Sequence, residues 1–352
     1  MTTTPKPRRW FQFRLRTLLV LMLLVSIGMG WFAMKLRQAR KQRAAIEAIF
    51  DGGGIVADWS ENYAPFTQDS AASSRNQSGS FTSSKQPNYA EESQAHAWLR
   101  NVLGDDYFIH PMAASVRDDL GMEGLDGLPM LEMLEVSGGQ ITDASLEHAR
   151  GLTLLHSLHV FGTSVTDAGV EHLKRLTRLQ TLWLVSVQVT DAGLEHFRGL
   201  TRLQSLWLVR TQVTGVGLEH LQGMAQLNKL LLDASPISDA GLKHLRGMQR
   251  LQQLSLSNTR VTDVGIEHIK HIPQLTWLCL RQTSLTDAGV VHLGGLTQLR
   301  SLNIMYTQVT DAGLEHLKGL TGLQELALSD TQVSDIGVKK LQEALPNCRI
   351  VR

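Results

Sequence analysis

The chain has few of the residues from which metal sites and disulfide frameworks are built. Only two of its 352 residues are cysteines, Cys279 and Cys348. They form no C-x-x-C motif and cannot make a disulfide framework. The sequence also lacks G-x-S-x-G, a Walker loop, G-x-G-x-x-G and H-E-x-x-H. We therefore predict no catalytic residue, no cofactor and no metal site.

An excess of charge of either sign is also missing. The chain has 34 Lys and Arg residues against 33 Asp and Glu residues, which gives a formal net charge of +1. This balance argues against a nucleic-acid-binding protein that depends on bulk positive charge. We therefore predict that nucleic acid is not a partner.

What the sequence does contain is one repeated phrase, whose clearest copy is Thr-Asp-Ala-Gly-Leu at 190–194. Its Thr or Ser recurs every 24 residues without insertion or deletion, at Thr142, Thr166, Thr190, Thr214, Ser238, Thr262, Thr286, Thr310 and Ser334. Self-similarity at a fixed period between about 20 and 50 residues is the signature of a solenoid protein.

The leucines around the phrase predict the secondary structure of each repeat. Leu182 and Leu184 precede Thr190 with a spacing of two, as in a half-buried strand. After the phrase, Leu194 and Phe197 are three residues apart, which places them on one side of a short helix. Each repeat is therefore predicted to be a short strand, a turn and about two turns of helix.

The repeated pattern L-x-x-L-x-L-x-x-T-x-V-T-D-A-G-L-x-H-L resembles a leucine-rich repeat. It resembles in particular the T-D-A-G-L type of bacterial membrane-anchored proteins, whose repeats are related to those of F-box adaptors. The resemblance covers 118–352, with nine full repeats and a C-terminal cap at 341–352. It implies an α/β fold, a right-handed solenoid with a parallel sheet on its concave face.

The start of the chain contains an uncharged apolar run at 17–34, after a basic tail at 1–16. As a helix this run would be about 27 Å long, close to the thickness of a bilayer core, so we predict a transmembrane anchor. A buried helix and a cleaved signal peptide are the alternatives, although the run exceeds the usual length of about 7–15 residues for a signal peptide. Five basic residues on each side leave the orientation open. The short N-terminal tail favours a solenoid on the extracytoplasmic side.

Three further segments separate the anchor from the repeats. We predict a juxtamembrane helix and strand at 35–59 and a flexible insert at 60–94, which is rich in serine and poor in aliphatic residues. The region at 95–117 is expected to cap the N-terminal end of the solenoid, because an open end would expose the leucine core.

Two polar positions of the repeat are assigned structural roles. The Thr of the phrase is expected to cap the helix, and the Asp to complement the helix dipole. A histidine occupies one position in eight consecutive repeats, from His148 to His316. Neighbouring helices lie about 8–10 Å apart, too far for adjacent histidines to share a metal ion, so we predict that each is bonded within its own coil.

The candidate site comes from residues that alternate with the buried leucines and therefore point to the concave side. In the first half of the repeats these residues are aromatic or aliphatic rather than polar. The predicted partner-binding residues are Phe161, Trp183, Val185, Trp207, Val209 and Leu231. An exposed apolar patch of this kind usually binds a partner. Cover by the 60–94 insert and self-association with a second copy are the alternatives.

The resemblance implies a non-catalytic, membrane-tethered scaffold that binds a protein or peptide. An F-box-like adaptor that selects substrates for a ubiquitin ligase is the second hypothesis. No F-box-like helical domain is recognisable before residue 118, and the predicted anchor fits that hypothesis poorly. An enzyme with a site assembled across several repeats is the third hypothesis.

Overall fold

The computed structural model describes residues 15–57 and 111–352. The Ser-rich insert at 60–94 lies outside the described residues, as do most of the basic tail at 1–16 and of the cap region at 95–117. Of the described residues, 15–44 belong to one compact unit, whereas 45–57 and 111–352 belong to a second. The repeats lie in the second unit.

The second unit contains a single twelve-stranded sheet whose strands follow the order of the sequence. Strand β1 pairs antiparallel with β2, and every later neighbour pairs in parallel. The strands are β1 Ile55–Ala57, β2 Ala113–Val116, β3 Met133–Ser137, β4 Ser157–Phe161, β5 Thr181–Val185, β6 Ser205–Val209, β7 Lys229–Leu231, β8 Gln253–Ser255, β9 Trp277–Cys279, β10 Ser301–Asn303, β11 Glu325–Ala327 and β12 Arg349–Val351. Strand β12 lies in the predicted C-terminal cap.

Short helical segments connect the parallel strands. The α-helices of the repeats are Asp119–Gly124, Asp143–Leu146, Asp167–Glu171, Asp239–Leu242, Asp263–Ile269, Asp287–Leu293, Asp311–Glu315 and Asp335–Ala344. The 3-10 helices are Leu125–Gly127, Glu147–Gly151, His172–Arg175, Gly193–Phe197, Val216–Leu221 and Lys243–Gly247. The prediction of a solenoid with parallel strands and short helices is therefore confirmed.

The leucines of the repeats form one continuous core. Leu182, Leu206 and Leu254 are completely buried, and so is Phe197 on the helical side. Full burial of a side chain of this size contributes about 1.5–3 kcal/mol relative to exposure, so the leucine columns supply most of the driving force for folding. At the N-terminal end, Ile49 belongs to the same core.

A ladder of aspartates joins successive coils. Asp263 Oδ1 accepts a hydrogen bond from the backbone N–H of Thr286 at 2.8 Å, and its Oδ2 accepts one from Thr286 Oγ1 at 2.6 Å. The same pair of bonds recurs in seven pairs: Asp143–Thr166, Asp167–Thr190, Asp191–Thr214, Asp239–Thr262, Asp263–Thr286, Asp287–Thr310 and Asp311–Ser334. The Asp therefore has a role in addition to the expected complement to the helix dipole, because it bonds the next repeat.

The Thr of the phrase also caps its own helix, as expected. Thr286 Oγ1 accepts a hydrogen bond from the N–H of Ala288 at 3.3 Å. The Gly of the phrase leaves room for the ladder, since a Cβ on Gly193 would overlap Asp167 Oδ1. The ladder is interrupted where Gly215 replaces the Asp, and there Ser238 bonds the carbonyl of Thr214 instead.

Strands β4 to β11 are each followed, directly or within three residues, by a residue in the left-handed region of the backbone, which the sequence analysis did not anticipate. The φ angles are 58° at Gly162, 56° at Ser186 and 53° at Arg210. The same conformation recurs in later repeats at Ala234, Asn258, Gln282, Tyr306 and Asp330. It turns the chain so that the N–H of Ser186 donates to the carbonyl of Val209 at 2.9 Å. The glycines at this position in two repeats, Gly138 and Gly162, were the sign of this conformation in the sequence.

The N-terminal helix α1 extends over Leu15–Asp51, a length of 37 residues. It does not end with the apolar run, but continues through a charged segment from Lys35 onwards. Within the part of the chain that the structure describes, no helix has both the length and the apolar character required to cross a membrane. The prediction of a transmembrane anchor at 17–34 is therefore not supported. Side chains 17, 18 and 21 lie outside the described residues.

An aromatic strip on the open face of the sheet

The candidate site lies on the face of the sheet opposite the leucine core. Along β5, Leu182 and Leu184 are buried in the core while Thr181, Trp183 and Val185 are partly exposed on the other face. Strands β4 and β6 alternate in the same way. The period of two in the sequence thus assigned the correct face to these strands.

The parallel register brings the predicted residues together. Trp183 pairs with Trp207, and Val185 pairs with Val209 on the next strand. Phe161 pairs with Val185 on β5, and Leu231 pairs with Trp207 from β7. We call His159, Phe161, Trp183, Val185, Trp207 and Val209 the aromatic strip.

Three rings of the aromatic strip are stacked. The imidazole of His159 and the indole of Trp183 have centroids 3.8 Å apart at an angle of 7°. The indoles of Trp183 and Trp207 are 3.9 Å apart at 13°. Phe161 meets Trp183 edge-on, at 6.2 Å and 69°. Both faces of Trp183 are therefore covered, and the stack presents ring edges to its surroundings.

His159 was not among the predicted binding residues, although it belongs to the same column of the repeat as the two tryptophans. Burial lowers its pKa to about 4, so the ring is neutral at pH 7. Ser157 Oγ lies 3.0 Å from His159 Nε2. A neutral imidazole can stack as an ordinary aromatic ring, which is why this residue extends the strip.

Leu231 differs from the expectation. It retains only 8% of its accessible surface, whereas the sequence predicted an exposed side chain. Ser255 and Cys279, at the same position of the next two repeats, are also buried, so the loss of exposure is shared by this part of the column. Leu231 therefore contributes at most an edge to the candidate surface.

Ionisable groups lie at both ends of the strip. The Nζ atom of Lys229 is 5.0 Å from the ring centroid of Trp207, within the range of a cation–π contact. Burial lowers the pKa of Lys229. At the other end, burial raises the pKa of Glu135, against the hydrogen bond that Ser115 donates at 3.5 Å. The apolar surface is therefore bounded by a base on β7 and an acid on β3.

Two polar atoms within the strip have no hydrogen-bond partner among the described residues. The Nε1 atoms of Trp183 and Trp207 are buried and make no hydrogen bond to a described residue. A buried donor without an acceptor costs about 1–3 kcal/mol. Each indole N–H therefore needs an acceptor that the described residues do not supply.

The same face becomes polar after β7. Asp233 Oδ1 accepts a hydrogen bond from the N–H of Ser257 at 2.8 Å, and Ser257 Oγ lies 3.0 Å from Cys279 Sγ. Burial raises the pKa of the Cys279 thiol, which keeps it protonated and unreactive. The stacked rings thus lie on β4, β5 and β6, while strands β8 and β9 carry polar groups on this face.

The histidine position proved different from the prediction. Instead of bonding within its own coil, His220 Nδ1 accepts from Arg198 of the preceding coil at 2.8 Å, and His244 Nδ1 pairs with Gln222 at 3.1 Å. The described residues contain no group of three or more His, Cys, Asp or Glu side chains able to hold a metal ion. In these repeats the histidine joins neighbouring coils.

Comparisons with known proteins agree with this architecture. The family model described as "Leucine Rich repeat" matches residues 295–318 and 320–341. No curated protein matches the chain.

Among solved structures, a leucine-rich-repeat protein of Leptospira interrogans is similar at a TM-score of 0.51 and 21% identity, over 65% of this chain and 57% of that one. Two internalins of Listeria monocytogenes are also similar. One has a TM-score of 0.41 and 20% identity, over 68% of this chain and 86% of its own; internalin C2 has a TM-score of 0.41 and 25% identity, over 66% and 83%. The family model thus matches two of the repeats, and the Leptospira structure shares the solenoid fold.

Proposed function

We propose that the protein is a non-catalytic scaffold that binds a protein or peptide partner through the aromatic strip. Leucine-rich-repeat proteins generally act as protein-binding scaffolds. The observation that carries the proposal is the run of partly exposed rings from His159 to Trp207 on three adjacent strands. Tryptophan and other aromatic residues are common anchors of protein interfaces.

The ring geometry supports a peptide rather than a stacked ligand. Nucleobases bind to aromatic side chains through the open faces of the rings. Trp183 has no open face, because His159 and Trp207 cover both sides at 3.8 and 3.9 Å. Ring edges instead suit apolar side chains and the faces of other aromatic rings.

The unpaired indole donors support the same function. Proteins rarely leave buried polar atoms unsatisfied without a functional reason. A small shift of either ring on binding would let Nε1 of Trp183 or Trp207 donate to a carbonyl oxygen of a bound peptide. The other two hypotheses, an F-box-like adaptor and an enzyme assembled across repeats, gain no support from the described residues.

The test is site-specific photo-crosslinking in native cells. A photoreactive amino acid at Val185, within the strip, is expected to crosslink a discrete protein partner. The matched control is the same amino acid at the exposed Ala192 outside the strip, which is expected to give no such product. Crosslinks only within the chain or between two copies would show that the 60–94 insert or self-association covers the strip, and the proposal would be wrong.

A companion pair of variants separates binding from folding. Trp183→Ala is expected to weaken capture of the crosslinked partner, whereas Trp277→Ala is expected to leave it unchanged. Trp277 is the matched control because it is also partly exposed and lies on β9, outside the strip. Equal binding by both variants would exclude the strip as the site.

We also propose that the N-terminal part of α1 holds the protein at a membrane, with the repeats on the extracytoplasmic side. Large apolar side chains between 19 and 34 support this proposal, because they are between 41% and 63% exposed: Leu19, Val20, Met22, Leu23, Leu24, Val25, Ile27, Met29, Trp31, Phe32 and Met34. Exposed apolar surface on this scale favours contact with lipid or a partner.

Membrane fractionation tests the association, and a wholly soluble native protein would refute it. The two native cysteines are buried and cannot report the side of the membrane. Ala192→Cys places a thiol at an exposed position. An impermeant thiol reagent should label this variant equally in intact and lysed cells; labelling only after lysis would place the repeats in the cytoplasm.

A further inference from the structure

The two edges of the sheet differ in charge. The turns that lead from a helix into strands β4 to β11 occupy 150–156, 174–180, 198–204, 222–228, 246–252, 270–276, 294–300 and 318–324, whereas the turns before β3 and β12 contain Asp126, Glu132 and Glu343. These eight turns contain eleven Lys and Arg residues and no Asp or Glu. The turns at the opposite end of the strands contain the aspartates of the ladder. We call the eight turns before β4 to β11 the basic rim.

Seven arginines of the basic rim make no ion pair with a described carboxylate. Other basic residues of the rim are neutralised by a glutamate on the helix, as Lys174 is by Glu171 at 2.8 Å. The unpaired arginines are Arg175, Arg178, Arg198, Arg202, Arg246, Arg250 and Arg300, and all of them are exposed. Arg198 and Arg246 donate to neighbouring histidines instead.

A groove of about 630 Å³ lies in the middle of this rim. Its lining consists of amide side chains and one arginine: Gln204, Gln226, Asn228, Gln249, Arg250, Gln252 and Gln274. Arg250 donates to Gln226 across the groove. An amide side chain offers both a donor and an acceptor, which is the combination that pairs with a peptide group.

We infer that the basic rim binds an acidic, extended polypeptide segment. Guanidinium groups pair with carboxylates through two parallel hydrogen bonds, and the amides of the groove bond the main chain of the segment. Successive coils are about 5–10 Å apart, while every second residue of an extended chain advances about 7 Å. Carboxylates at alternate positions of such a segment therefore match arginines on successive coils, such as Arg178 and Arg202.

The surroundings of the rim favour a peptide over a wider polyanion. The exposed glutamates Glu171, Glu195, Glu219, Glu267 and Glu315 on the helices lie beside the rim. A nucleic-acid duplex or a membrane surface would meet these carboxylates. An extended peptide is narrow enough to contact only the turns of the basic rim. The rim turns from 174 to 300 also contain no Phe, Tyr or Trp on which a single-stranded base could stack.

This inference is independent of the aromatic strip, because the rim is a different surface. The test uses the full chain and a fluorescent peptide of alternating Glu and Ser. Binding is expected, with an affinity that falls as salt is raised. The double variant Arg178→Glu with Arg202→Glu is expected to bind at least about tenfold more weakly.

The matched control is Arg210→Glu with Arg260→Glu. It makes the same change in net charge at two exposed arginines in the turns on the opposite edge, and it should leave binding unchanged. Thermal unfolding of both double variants verifies that they are folded. Equal weakening in both, or no binding of the peptide, would overturn the inference. Tighter binding of a single-stranded oligonucleotide or a sulfated oligosaccharide at the same arginines would overturn the peptide assignment.

Discussion

Trp183 and Trp207 lie parallel to each other on adjacent strands, with ring centroids 3.9 Å apart and an angle of 13° between the rings. Their register in the parallel sheet makes them direct neighbours. The two rings are expected to serve both folding and binding, because they pack against each other and also form the centre of the aromatic strip.

The stacked pair should be measurable as a coupling energy. An aromatic pair contributes about 0.5–1.5 kcal/mol beyond the burial of its area. The double-mutant cycle of Trp183→Ala and Trp207→Ala, measured by urea unfolding, is therefore expected to show a coupling of about 1 kcal/mol. A cycle of Trp183→Ala with Trp277→Ala on the distant strand β9 is the control, and its effects should add. Additive effects in the first cycle would mean that the stacking contributes nothing to stability.

The aspartate ladder should stabilise the repeats more than a helix-dipole contact would. Asp263→Ala removes both bonds to Thr286 and leaves the backbone N–H and the hydroxyl of Thr286 without this acceptor. A loss of about 1–3 kcal/mol in the free energy of unfolding is therefore expected. Asp263→Asn keeps one acceptor oxygen and should lose less. If Asp263→Ala changes stability no more than about 0.5 kcal/mol, the bonds to the next coil are not significant.

Protonation of His159 should weaken the fold in mild acid. Its pKa is about 4 in the folded protein because of burial, against an ordinary value of 6.5. Between these values the unfolded chain binds the extra proton, so stability falls as the pH is lowered from 6.5 towards 4. His159→Phe keeps a ring in the stack and removes the titration. The loss of stability between pH 7 and 4.5 in urea unfolding should therefore be smaller in His159→Phe than in the natural chain; equal losses would contradict the assignment.

The left-handed position that follows strands β4 to β11 should favour glycine. Gly162 has a φ of 58° and open space around its Cα. Gly162→Ala is therefore expected to destabilise by about 1–2 kcal/mol through backbone strain alone. Gly139→Ala is the control, since its surroundings are also open and its φ lies outside the left-handed region. Equal thermal midpoints for the two variants would show that the left-handed turn carries no strain.

The sequence was sufficient to predict the core and the face of the aromatic strip. Leu182 and Leu206 recur at a period of 24 residues, and a spacing of two within each strand fixes which side is buried. The positions of Trp183 and Trp207 followed from the same spacing. Periodicity is predictive here because the side chains at equivalent positions of successive repeats pack in the same way.

Contacts between coils could not be predicted in the same way. The bonds from Asp263 to Thr286 and from Arg198 to His220 join residues more than 20 positions apart. Their formation depends on the rotation and pitch from one coil to the next, which the residue spacing does not determine. Leu231 is buried together with Ser255 and Cys279 at the same position of the next two repeats, and this packing between strands is not visible in the pattern of a single strand.

The substitution of Gly215 for the ladder aspartate makes cohesion between neighbouring coils uneven. A solenoid holds together through nearest-neighbour interfaces, so its resistance to opening is set by the weakest of them. Around Gly215 the paired carboxylate bonds found on both sides are replaced by bonds from Ser238 to the carbonyl of Thr214. Ser235 also bonds Thr211 and the carbonyl of Leu208 across this interface. Cohesion at this interface therefore comes from neutral hydroxyl groups, whereas a carboxylate provides it on either side.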